Sequence, residues 1–96
     1  MEQLTLVSKQ PRLLKPLVEA ALRNELRLLQ AGIQRSEQKL QQWESRFGLP
    51  TLEFVRRYEN DQFEESLELA EWIGEHRLMT RLLEKAQILQ EVTFAN

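Results

Sequence analysis

The residues with most chemical capacity are one histidine, His76, and a run of carboxylates just before it. Glu64, Glu68, Glu71 and Glu75 stand at i, i+4, i+7 and i+11. On a helix this spacing sets four carboxylates in one row, with Glu65 beside it. Like charges so placed repel one another; a basic partner relieves the repulsion and is steered toward it. The row is therefore a candidate partner-binding face. Tyr58 and Trp72 join it, because these aromatic types anchor interfaces. The plain alternative is a solvated flank, paired with basic residues of a neighbouring helix.

His76 has no companions for chemistry. Metal sites in helical bundles use Glu-x-x-His, and Ile73 stands where that glutamate is needed. Glu75 is adjacent in sequence and so points elsewhere on a helix. His76 thus reads as a histidine at the border of an apolar stripe. The three glycines are isolated, which excludes a phosphate loop or a dinucleotide fingerprint, and the lack of cysteine removes thiolate chemistry. The expectation is a non-enzyme with no catalytic residue, cofactor or metal. Lys9, Arg12 and Lys15 are the candidates for nucleic-acid contact, through phosphates. No helix-turn-helix accompanies them, and residues 2–8 are a weak β-ribbon candidate.

The elements that must position these residues are helices. Gly and Pro number three each, and the chain of 96 residues is rich in Leu, Glu, Gln and Arg, all good helix formers. This length suits one domain at most. Net charge is −2, yet its distribution is polarised: Lys9 to Arg57 holds ten basic residues and five glutamates, whereas Glu59 to Glu75 holds seven acids and no Lys or Arg. No apolar run approaches the roughly 20 residues of a bilayer span, and the N-terminus lacks a signal-peptide pattern. A cytoplasmic location is expected.

Four segments are expected: an N-terminal arm over 1–12, a long helix over 13–47, a short one over 52–59 and a second long one over 62–92, with Glu65 the alternative start of the last. Within the arm, residues 2–8 are rich in strand formers and suit either an intersubunit strand or a loose start. Pro16 suits the first turn of the long helix, which begins at 13 or 16. Leu22, Leu26, Leu29, Ile33, Leu40, Trp43 and Phe47 alternate at intervals of three and four, with Ser36 the one polar break. This heptad seam calls for a coiled-coil-like partner. Gly48 and Pro50 end the helix, Thr51 caps the next, and Asp61 with Glu64 has capping-box spacing for the third. Gly74 lies inside the third helix and suits close approach or a mild kink. The aromatics Trp43, Phe47, Phe54, Tyr58, Phe63 and Trp72 gather at the bend between the long helices, as a core or as interface anchors. The resulting fold class is all-α: a long antiparallel helical hairpin with a short helix at its tip, dimerising through the seam and the third-helix stripe into a four-helix bundle.

The runs Asn24-Glu25-Leu26-Arg27-Leu28-Leu29, Gly32-Ile33, Glu44-Ser45-Arg46-Phe47-Gly48-Leu49, Glu53-Phe54, Tyr58-Glu59-Asn60, Phe63-Glu64-Glu65-Ser66 and Glu71-Trp72 together resemble small all-helical proteins of cyanobacteria and archaea, over about residues 20–75. Such proteins are similar to the antitoxin half of toxin–antitoxin modules. The resemblance implies an antitoxin-like protein–protein interaction module. It would bind itself and neutralise a small basic toxin through the acidic face. A DNA-binding regulator using the basic arm, or a purely structural oligomer, are the alternatives. No membrane role is expected.

Overall fold

The computed structural model describes residues 4–92, the side chain of Pro11 excepted. Three helices occur among them: α1 (Pro11–Phe47), α2 (Thr51–Glu59) and α3 (Leu67–Gln90). The protein is all-helical, and no strand forms among the described residues. None of its helices is long and apolar enough to cross a membrane. The overall extents are 58 × 23 × 18 Å.

Helix α1 starts earlier than expected. Pro11 occupies its first turn, where a missing N–H costs nothing, and Pro16 is the sixth residue, inside the helix. Leu13 and Leu14 both donate their amides to the carbonyl of Gln10, so the backbone is already helical before Pro16. Residues 4–10 have no regular secondary structure and are exposed. Of the segment considered for an intersubunit strand, residues 2 and 3 lie outside the described part, and residues 4–8 are unpaired within the chain. At the other end Gly48 is left-handed, with φ 63°. Its amide and that of Leu49 both reach the carbonyl of Glu44, which closes the last turn.

Helix α2 begins at Thr51, one residue before its expected start, and Thr51 is not its cap. Pro50 takes that place, and the Glu44 side chain receives the Thr51 amide at 2.7 Å. The α2 exit corrects a second expectation. Asp61 does not cap α3 but sits left-handed, φ 55°, just past the end of α2. The amides of Asp61 and Gln62 bond back to the carbonyls of Tyr58 and Arg57, a Schellman closure in which an aspartate replaces the usual glycine. Helix α3 then starts at Leu67 rather than at 62 or 65. Ser66 is its cap, its hydroxyl accepting the Leu69 amide at 3.2 Å. The delay has a tertiary cause: Phe63 is drawn onto the Phe54 ring, 5.6 Å between centroids, and the chain from 62 to 66 follows it.

Helices α1 and α3 lie side by side and run in opposite directions. Arg46 meets Glu68, Ser36 and Lys39 meet Glu75, and Leu82 approaches Gly32. Leu22 and Leu26 share a groove with Leu89 and Val92. The heptad seam of α1 thus meets α3 within the chain. Leu29 and Leu40 of the seam are buried, and Leu22, Leu26, Ile33 and Trp43 are half-buried. Phe47, at the end of the seam, is 43% exposed while its ring stacks on Trp72. The close approach falls at Gly32, where an added Cβ would stand 3.2 Å from a Leu82 methyl; around Gly74 there is open space.

The core is built at the α2 end from Leu40, Phe54, Trp72 and Ile73. Phe54 and Trp72 are the two largest fully buried side chains and stack at 3.8 Å, 6° from parallel. Burying side chains of this size contributes about 1.5–3 kcal/mol each. Phe47 and Trp43 extend the stack at 5.4 and 6.4 Å from Trp72, and Tyr58 leans on Phe54 at 5.5 Å. A buried indole N–H needs an acceptor. Thr51 supplies it, its hydroxyl 3.2 Å from Trp72 Nε1.

Candidate functional site

The acidic residues do not form one helical row. Glu64 and Glu65 precede α3, in the non-helical stretch before Ser66, so only Glu68, Glu71 and Glu75 share helical spacing. Two of those three are engaged by α1. Glu68 accepts from Arg46 at 2.9 Å, across an exposed pair. Glu75 is largely covered: one carboxylate oxygen accepts the Ser36 hydroxyl at 2.5 Å, and the other lies 3.6 Å from Lys39 Nζ. This explains the polar break in the seam. Ser36 is 2% exposed and would be costly to bury without a partner; Glu75 provides one from 39 residues away.

Glu71 lies between these two acids and has no ion-pair partner among the described residues: Arg46 and Lys39 are taken by its neighbours. It borders a groove of about 800 Å³ between α1 and α3, lined by Lys39, Gln42, Trp43, Arg46, Glu68, Glu71 and Glu75. The groove therefore has a half-buried tryptophan in its wall, two cations and three carboxylates. Such a mixture can receive a cationic side chain against the Trp43 ring, with Glu71 as its counter-charge.

The aromatic candidates part company. Trp72 is 1% exposed, locked between Phe54 and Phe47 and bonded to Thr51; it is a core residue and not a partner anchor. Tyr58 is half-buried against Phe54. Trp43, assigned to the seam from its spacing, is the tryptophan that reaches the groove. Its heptad position hid this, because a seam residue at the margin of a two-helix contact keeps one edge open. His76 is half-buried on α3, and its Nδ1 is buried with no hydrogen-bond partner. No group of three or more potential metal ligands assembles among the described residues.

A second charged cluster sits on α2. Glu53 is bonded by Arg56 at 2.5 Å and by Arg57 at 3.0 Å. Chiefly through the Arg56 hydrogen bond, then that of Arg57, its carboxyl is held down to about 2. Lys9 and Arg12 are exposed at the start of α1, whereas Lys15 lines a different groove beside Glu19 and Leu22.

No family model, curated protein or solved structure matches the chain.

Proposed function

We propose that this protein is a protein–protein interaction module, built on a helical hairpin, that receives a basic partner at the α1–α3 groove. The observation that carries the reading is Glu71, a carboxylate beside an accessible tryptophan whose neighbouring acids already have their cations. Glu64 and Glu65, exposed just before α3, extend the negative edge. Glu68 stays available in a different sense. Its pair with Arg46 is exposed, and such pairs are worth roughly 0–1 kcal/mol, so an incoming arginine exchanges with Arg46 at little cost. Glu75 is excluded from this role by its coverage and its bond to Ser36.

An antitoxin-type role, with a small basic toxin as the partner, is the biological form that the resemblance implies. Its direct test is co-purification with the product of the adjacent gene. The groove is then tested by substitution. Glu71→Lys, alone and with Glu64→Lys, is expected to weaken binding by about 10- to 100-fold at low salt and by less at high salt, where charges are screened. Affinity unchanged by Glu71→Lys at both salt concentrations would show that the partner docks elsewhere. Helicity by circular dichroism should be the same in both variants, because Glu64 and Glu71 are exposed and neither is in an ion pair among the described residues.

Homodimerisation belongs to the same reading; because α3 already packs on the Leu22–Phe47 seam, the reading places the dimer contact on another face of the hairpin. A four-helix bundle needs another face on each hairpin.

A further inference from the structure

Helix α1 carries a second seam. Leu14, Leu17, Ala21, Asn24, Leu28 and Ala31 follow one another at intervals of three, four, three, four and three. The pattern is a heptad repeat on a face distinct from the one that meets α3. Leu17 and Leu28 are 67% and 55% exposed on it, and Ala21, Asn24 and Ala31 are exposed as well. Among the described residues no other helix is placed to cover this face. Helix α3 ends against Leu22 and Leu26, and α2 packs at the opposite end of α1. With 37 residues against 24, α1 outruns α3 by roughly 20 Å at 1.5 Å per residue.

We infer that the outer seam of α1 is the site at which a second copy of this chain docks, joined by the apolar arm before it. Three observations favour a second copy as the occupant. First, the seam is narrow and its period is 3.5 residues, so its natural complement is a helix of the same length and period, which every copy supplies. Second, the charged residues directly flanking the helical seam are balanced, Glu25 on one side against Arg27 on the other, so two copies meet without strong repulsion. Third, the area suffices. Leu4, Leu6, Val7, Leu13, Leu17 and Leu28 are between 49% and 90% exposed. Together they leave roughly 700 Å² open per copy, and two copies reach the window of about 1,200–2,000 Å² that stable interfaces bury. The helical seam alone falls short of that window, so the arm is part of the contact. Asn24 is the one polar position, its side-chain oxygen held by Arg27 at 2.6 Å. A single asparagine in an apolar seam disfavours slipped registers.

This inference rests on the reading of the chain as an interaction module, but not on its basic partner. Sedimentation equilibrium of the full chain tests it. The wild type is expected to be a dimer. Leu17→Glu with Leu28→Glu should raise the dimer dissociation constant by at least about 100-fold, since each copy loses two apolar anchors and gains two facing charges. The milder Leu17→Ala with Leu28→Ala should raise it too, with helicity retained, which separates interface loss from unfolding. Leu52→Glu with Leu67→Glu, at positions 75% and 76% exposed but far from the seam, should leave the dimer intact. A monomeric wild type, or a dimer that survives the seam variants, overturns the inference. So does a dimer lost in the control. Partner binding by Glu71→Lys is measured separately, so either reading can fail without the other.

Discussion

Replacing Thr51 by valine should destabilise the protein through a residue it leaves untouched, Trp72. The two shapes are similar, but valine removes the hydroxyl that lies 3.2 Å from Trp72 Nε1, at a site where Thr51 is 6% and Trp72 1% exposed. The indole N–H is then buried without an acceptor, at a cost of about 1–3 kcal/mol. The backbone role of residue 51 is unaffected, because its amide donates to Glu44 in either case. A slightly better apolar fit returns a few tenths, so the expected net loss is about 1–2 kcal/mol. Urea unfolding followed by circular dichroism should show the midpoint falling by roughly 1 M with the slope unchanged. The decisive measurement is the double-mutant cycle. Trp72→Phe should cost about 1 kcal/mol less in the Thr51→Val background than in the wild type, because the hydrogen bond can be lost only once. If the two substitutions add within about 0.3 kcal/mol, or Thr51→Val is neutral, the assignment of Trp72 to a satisfied core fails. The anchor role expected for Trp72 from sequence then becomes open again.

Gly74→Ala should stabilise the protein by about 0.8–1 kcal/mol in thermal unfolding, because an added methyl meets nothing and helix propensity alone acts. Gly32→Ala should gain less, because its methyl would press on Leu82 at 3.2 Å; equal gains at both sites would contradict the close approach of α1 and α3. Glu53 should titrate at about 2 by NMR, and Arg56→Gln should raise that midpoint. The sign follows from a folded pKa below the unfolded 4.5: the contribution of Glu53 is present above about 4.5 and is lost as pH falls toward about 2. Ser36→Ala leaves the largely covered Glu75 without its hydroxyl donor and should destabilise by about 1–3 kcal/mol, whereas Arg46→Gln, which breaks an exposed pair, should change stability by less than about 1 kcal/mol; chemical denaturation compares them.

Much of the helical architecture was legible in the sequence because its signals are local. The three–four alternation from Leu22 to Phe47 marked a helix with a seam, and Gly48 ahead of Pro50 marked its end, since a left-handed residue and a proline both act within one turn. Signals that compete locally misled. Asp61 has the spacing of a cap and Ser66 has its chemistry; a ring contact between Phe63 and Phe54 decided between them. The carboxylate row failed for the same reason, because a row requires Glu64 to be helical.

What the sequence by itself determined is the helical class and the faces each helix must bury, for periodicity is a property of consecutive residues. Which face meets which, and which charge remains without a partner, only the tertiary structure decided. Glu75 finds Ser36, Glu68 finds Arg46 and Trp72 finds Thr51 across separations of 39, 22 and 21 residues. No local spacing encodes such pairs, because each depends on the register at which α1 and α3 stop sliding past one another. Packing sets that register, in the aromatic stack at one end and at Gly32 along the helices.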